Sequence, residues 1–245
     1  MMLEVKEVSK HFGGVKALTN VSLSLNAGEV LALAGDNGAG KSTLIKIISG
    51  VYTPDTGSLT YQNKPLVANS PLQARNLGIE TIYQDLALAD NLNVGANIFL
   101  GREPMKPFLG MTKVIDRQKM LKESREVLHS LDIEIPESSL EQPVRTLSGG
   151  QRQAIAIGRA IYWNAKLLIM DEPTAALGVP EQRKVLELID KLRSQKIGII
   201  FISHNLNDIF AASDRILVLR QGRVVGENKI SKTSREEVVR QMVSG

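Results

Sequence analysis

Apolar and polar residues alternate over residues 3–8 ("LEVKEV") and 21–25 ("VSLSL"), a period of two that buries one face of a strand and wets the other. Residues 30–34 ("VLALA") are apolar throughout, the pattern of a central strand in a parallel sheet covered on both faces. A glycine-rich break follows, and helical spacing runs from Ser42 to Gly50. A second helix is predicted from Ser70-Pro71, a capping residue followed by proline at the first helical position, to Gly78. Residues 79–84 ("IETIYQ") read as a strand. From about 90 to 145 the pattern turns helical, as in "DRQKMLKESREVLHSL" (116–131), with interrupting prolines and no convincing strand. This stretch reads as a helical insertion. Beyond it come a strand over 166–171 ("KLLIMD"), a helix over 180–195, a strand over 198–204 ("GIIFISH"), and a strand with a glycine turn from Arg215. The capping box "SREE" at Ser234 opens a last helix. The expected architecture is α/β: a doubly wound core around a parallel sheet, built from 1–84 and 147–245, with an antiparallel β region near the N-terminus and a helical subdomain over 85–146.

Composition narrows the function. At 245 residues and 43% hydrophobic content the chain can bury a core as one large domain, or as one domain with a smaller insertion. No run approaches ~18 consecutive apolar residues, and "MMLEVKEVSK" lacks the apolar segment of a secretory signal, so the chain is expected to be cytoplasmic and not to span a membrane. There is no cysteine, which removes disulfides and thiolate metal sites. The formal charge is +4, with no basic block interleaved with aromatics; no nucleic-acid partner is expected, while a polyphosphate ligand is compatible.

The glycine-rich break has a chemistry of its own. Gly35 to Ser42 fits G-x-x-x-x-G-K-[ST], in which glycines tolerate positive φ and let successive backbone N–H groups, from Gly35 through Asn37, Gly38, Ala39 and Gly40, curl around phosphate oxygens at a helix start. Lys41 is then expected on the β- and γ-phosphates, Ser42 to offer a hydroxyl to Mg2+, and Thr43 to add a donor. An ordinary strand-to-helix turn with an exposed lysine fits the eight residues too, but the buried strand before and the helix after favour the phosphate loop. "LLIMDEP" (167–173) delivers Asp171 at the C-terminal edge of an apolar strand, read as neighbouring the loop, where ligands bind in such sheets. Asp171 would hold Mg2+ through its water shell, and Glu172 is placed to polarise an attacking water as general base.

Between these motifs, "LSGGQ" (147–151) puts Ser148, Gly149, Gly150 and Gln151 at the start of another helix, a second anion-binding helix end. With this pentapeptide in that place the chain resembles the ATP-binding cassette (ABC) ATPases over essentially its whole length. The resemblance implies a P-loop NTPase fold with a RecA-like core, ATP and Mg2+ as ligands, and a homodimer in which the signature residues of one subunit cap the γ-phosphate held by the other. It further implies that Phe12 stacks on adenine, that Gln84 in "IYQDL" touches Mg2+ or the water, and that His204 in "FISHNL" contacts the γ-phosphate. Phe12 also suits a plain edge-strand aromatic. His11 and His129 fit no motif and receive no role.

One departure stands out. Where the family usually carries Ser-Ala-Leu-Asp after the paired acids, this chain has Ala175-Ala176-Leu177-Gly178, which puts communication between sites through this loop in question. "EPTAALGVPEQ" and "NIFLGREP" (97–104) resemble the branch that powers bacterial monosaccharide import, closest to single-cassette pentose or hexose importers. A membrane permease, an indirect sugar-binding protein and a peripheral place on the cytoplasmic face of the membrane follow from that resemblance. A non-sugar importer or an exporter subunit is the alternative. A GTPase is excluded, since "NKPL" (63–66) has leucine where a guanine-reading aspartate is needed.

Overall fold

In the computed structural model, which describes residues 1–108 and 112–244, the N-terminal alternation forms β1 (Leu3–Phe12) and β2 (Val15–Leu25), antiparallel with Leu3 opposite Leu25 and Val8 opposite Val21. β3 (Val30–Ala34) is buried at every residue, and α1 (Lys41–Ile48) follows the glycine break. Next come β4 (Thr56–Tyr61), β5 (Lys64–Pro65), α2 (Pro71–Asn76) and β6 (Ile79–Ile82). Ser70 accepts from the Gln73 N–H ahead of Pro71, the predicted cap. The chain continues through α3 (Val94–Ile98), β7 (Met105–Phe108), β8 (Thr112–Ile115), α4 (Arg117–Ser130), α5 (Glu137–Leu140) and α6 (Gly149–Tyr162). It closes with β9 (Leu167–Asp171), α7 (Val179–Ser194), β10 (Gly198–Ile202), α8 (Leu206–Ala212), β11 (Arg215–Arg220), β12 (Arg223–Lys229) and α9 (Arg235–Ser244).

Two compact units result. The first comprises Met1–Gln84, Ala165–Ala175 and Ile189–Gly245. It holds an antiparallel sheet, β2-β1-β4-β5, and a six-stranded sheet, β12-β11-β3-β10-β9-β6, parallel except for β12 on β11. An eight-residue helix is marginal alone in water; α1 is held because Leu44, Ile45 and Ile48 are buried in one cluster with Leu31, Leu33, Ile200, Leu217 and Leu219 of the large sheet. Each such side chain contributes about 1.5–3 kcal/mol on burial, so the start of α1 is pinned by its apolar face. The strand order corrects one expectation. β10 lies between β3 and β9, so Asp171 sits on the strand next but one to the phosphate loop rather than on its neighbour, and the end of β10 comes between them. Apolar runs identify strands but carry no pairing order.

The second unit, Asp85–Asn164 and Ala176–Leu188, packs Val94, Ile98 and Phe99 of the α3 region against Met120, Val127 and Leu128 of α4 and Ile155 of α6. It runs past residue 146, where the sequence pattern ends the helical subdomain, because Ile155, Tyr162 and Trp163 join this cluster. Phe99, Tyr162 and Trp163 meet edge to face with centroids 4.6 to 6.0 Å apart, and Trp163 Nε1 donates to Ile98 O at 2.9 Å. β7 and β8 fall where no strand was expected. Neither strand has a buried face, so neither shows the alternation that marks a half-buried strand. No helix among the described residues is long and apolar enough to cross a membrane.

Candidate functional site

The loop after β3 turns on glycine. Gly40, the residue before α1, has φ 108°, and a Cβ there would lie 2.8 Å from both Ala17 O and Leu18 Cδ2, so no other residue fits. No side chain caps α1, whose first-turn N–H groups therefore face the loop without an internal acceptor. The turn between β11 and β12 braces the loop: Gly222 N donates to Ala39 O at 2.9 Å, and Thr19 N to Gly222 O at 2.7 Å. Lys41 is buried, its ammonium donating to Gly35 O at 2.5 Å and Asp36 O at 3.1 Å. Burial lowers its pKa, against the opposing pull of Glu172, Asp171 and Asp36. Asn37, Gly38 and Ser42 are exposed and Thr43 half-buried.

Two strand ends face this lysine. Asp171 closes β9 opposite Ile202 of β10, and Glu172 follows at φ 54°, held there by its N–H donating to Ile202 O at 2.9 Å. A non-glycine residue at positive φ costs of order 1–3 kcal/mol, which the surrounding pairing sustains. The Glu172 carboxylate accepts the His204 backbone N–H at 3.3 Å and lies 3.1 Å from His204 Nε2. Burial raises the pKa of Glu172, opposed by His204, and that of Asp171, opposed by Lys41 and His204. A carboxylate only 13% exposed beside an imidazole 57% exposed is a basic group at the edge of solvent, the arrangement needed to take a proton from water. Gln84 is exposed two residues past β6. Phe12, 42% exposed at the end of β1, meets Tyr52 edge to face at 5.1 Å, so two rings share this ledge. His11 Nδ1 lies 3.2 Å from Asp55, away from these groups in its contacts.

The second helix start is built differently. Ser148 N donates to Gln151 Oε1 at 3.0 Å and Gln151 N to Ser148 Oγ at 3.3 Å, a reciprocal capping box opening α6. Gly149 and Gly150 lie between, and residues 177–181, running into the start of α7, pack on them: a Cβ at 149 would be 2.8 Å from Leu177 Cδ2, and one at 150 would be 2.9 Å from Glu181 Cγ. At Gly178 a Cβ would lie 2.7 Å from Glu181 Oε2. The end of the flexible Glu181 side chain thus lies where a Cβ at 178 would go, and it would have to swing aside for an aspartate there.

Sequence reasoning missed one pair. Thr174 Oγ1 donates to Asp208 Oδ2 at 2.7 Å, both residues being buried, so the segment just after Glu172 is tied to the helix just after His204. Its only sequence signal is an aspartate in the first turn of α8, which reads as a dipole partner.

The ABC transporter family profile matches residues 18–175. The chain belongs to the ABC transporter family. It is an ATP-binding cassette ATPase. It is 50% identical over 243 residues to the xylose/arabinose import ATP-binding protein XylG of Sulfolobus acidocaldarius, covering 99% of this chain and 94% of that one. It is 47% identical to the fructose import ATP-binding protein FrcA of Rhizobium meliloti, covering 91% and 86%. Among solved structures, a nucleotide-free ATP-binding cassette from an ABC transporter superposes with a TM-score of 0.82 at 27% identity, covering 100% of this cassette and 95% of the other.

Proposed function

We propose that this cassette drives uptake of a monosaccharide through a partner permease at the cytoplasmic face of the membrane, working as a homodimer that sandwiches two nucleotides. The carrying observation is near-full-length identity of 50% and 47% to two proteins named for sugar import. Dimerisation draws on the dimeric cassette MJ0796, 26% identical with a TM-score of 0.75.

In the proposed chemistry the backbone N–H groups of the 35–40 loop, with Lys41 and Thr43, bind the phosphates, and the Phe12–Tyr52 ledge receives adenine. Ser42, Gln84 and Asp171 offer a hydroxyl, an amide oxygen and a carboxylate, a hard-oxygen set suited to Mg2+ alongside phosphates and water. Bound there, Mg2+ neutralises charge on the β- and γ-phosphates. Glu172 orients and deprotonates the attacking water, desolvation having made its carboxylate more basic, and His204 donates to the γ-phosphate. Ser148, Gly149, Gly150 and Gln151 of one subunit face the γ-phosphate bound by the other.

The purified complex with its permease in liposomes tests this reading. ATP hydrolysis should rise when a binding protein loaded with a pentose or hexose is supplied. Stimulation confined to an amino acid or metal ion, or transport outward, would replace the sugar importer with the alternative class.

A further inference from the structure

β7 and β8 form a sheet of their own, paired with no other strand among the described residues. Directly opposed residues share a face, so Met105 with Ile115 and Pro107 with Lys113 lie on one side, and Lys106 with Val114 and Phe108 with Thr112 on the other. Large apolar side chains are exposed on both sides: Met105 at 52%, Ile115 at 45% and Phe108 at 51%. Each side also carries a lysine. Lys106 lies 3.6 Å from Asp116, whereas Lys113 pairs with no carboxylate among the described residues. Residues 101–118 hold four Lys/Arg and two Asp/Glu, a net +2, while further along Lys119, Lys122 and Arg125 pair with Glu123, Glu126 and Glu137.

A groove on a partner protein covers one face of a two-stranded sheet and leaves the other wet. Apolar side chains on both faces, each flanked by a lysine, suit a medium that surrounds the sheet. The boundary between lipid headgroups and acyl chains is such a medium: apolar bodies sink into it while ammonium groups snorkel to anionic phosphates. We infer that the β7–β8 sheet seats Met105, Phe108 and Ile115 in the interfacial layer of an anionic bilayer, with Lys106 and Lys113 against the lipid phosphates. The inference rests on the proposed placement of the cassette at a membrane and adds a lipid contact separate from the permease. A basic residue near an anionic surface raises affinity about fivefold, so the contact is reversible and orients the cassette without anchoring it.

Flotation of the full chain with vesicles tests it, comparing pure phosphatidylcholine with a mixture containing phosphatidylglycerol. The chain should float with the anionic vesicles only, and less at high salt. Lys106→Glu combined with Lys113→Glu should weaken retention by about 25-fold or more. Met105→Ser combined with Phe108→Ser should remove the retention that survives high salt. Both double variants, assembled with the permease in detergent, should hydrolyse ATP at the parental rate. Absence of wild-type flotation, or equal flotation of the variants, overturns the inference. So does loss of permease copurification with vesicle binding unchanged, which would make the sheet a protein-docking face. Failure of sugar stimulation while the flotation pattern holds would overturn only the sugar assignment.

Discussion

The two helix starts that face phosphate in the proposed mechanism solve the same problem in opposite ways. α1 opens at Gly40 with no side-chain cap, while α6 opens at Ser148 inside a closed capping box. A helix end leaves several N–H groups without partners. At α6 the protein satisfies part of that set itself, and the side chains of Leu177 and Glu181 pack on Gly149 and Gly150. At α1 it supplies none, and draws Lys41 onto the loop carbonyls. The glycines differ accordingly. Gly40 is required by its backbone, at φ 108° with a Cβ there falling 2.8 Å from the Ala17 carbonyl oxygen, whereas a Cβ at Gly149 would meet only the end of the Leu177 side chain and one at Gly150 the Cβ and Cγ of Glu181. The α1 end is left without a cap, as the proposed phosphate ligand requires; the α6 end is a finished helix start.

If that contrast is right, chemistry beside α1 is the most sensitive to substitution. Glu172→Gln should keep ATP binding and lose roughly 10²- to 10⁴-fold in turnover, measured as steady-state phosphate release. The same variant reports the desolvated carboxylate. Its folded pKa is raised, so ionisation costs stability above the unfolded pKa and the cost vanishes on acidification. The melting temperature of Glu172→Gln, without nucleotide, should match or exceed the parent at neutral pH, and that advantage should shrink as pH falls. A constant difference across the acid range would show that desolvation of Glu172 is not what sets it.

Next in size is the signature end. Ser148→Arg should abolish hydrolysis while ATP affinity changes little, because in the proposed dimer its donors act on the nucleotide of the partner subunit. Losing one preorganised donor of this sort costs about 2.7–4 kcal/mol of transition-state stabilisation. Specific activity of the isolated parent chain should also rise with protein concentration. Full activity in a demonstrated monomer would end the composite-site reading.

A smaller effect separates the glycines directly. Gly40→Ala forces a side chain into a left-handed position against backbone, so both stability and ATP affinity should fall, the former by more than about 1 kcal/mol. Gly149→Ala meets only the end of Leu177 and should lose less in thermal unfolding. Equal losses would erase the distinction between a backbone-built and a packing-built glycine.

Much of this was legible in the sequence because it depends on local pattern. The fully apolar run became β3, Ser70-Pro71 became a capped helix start, and Ser234 caps α9, with Glu237 N donating to its hydroxyl at 3.2 Å. What escaped depends on pairing or on exposure. The insertion of β10 between β3 and β9 is a matter of strand order, and it is what puts His204 beside Glu172. β7 and β8 escaped because both faces are wet. Asn97 sits in "NIFLGREP", a stretch whose sequence marks only a branch of the family; it is fully buried, accepts from Ala89 N at 2.7 Å and donates to the carbonyls of Ala89, Leu92 and Asn93, shaping the turn before α3. No periodicity announces a side chain that satisfies a distant loop.

The smallest effect bears most closely on the α6 end, because Gln151 carries two readings: half of a capping box, and a contact to the phosphate across the dimer. Gln151→Ala removes one of two reciprocal bonds and should cost no more than about 1 kcal/mol, a drop of roughly 2–4 °C in melting temperature for a chain of this size. That variant alone does not separate the readings, since a frayed helix start also slows hydrolysis. Gln151→Glu does. Glutamate at this position caps at least as well, its carboxylate accepting from Ser148 N and favoured by the positive helix end, so melting should match the parent. The same carboxylate would face the γ-phosphate across the dimer and repel it, so turnover should fall while ATP affinity, set at the α1 end, holds. Parental turnover with parental melting would leave Gln151 as a capping residue only. A drop in melting with parental turnover would remove the capping box itself as the feature that distinguishes α6 from α1.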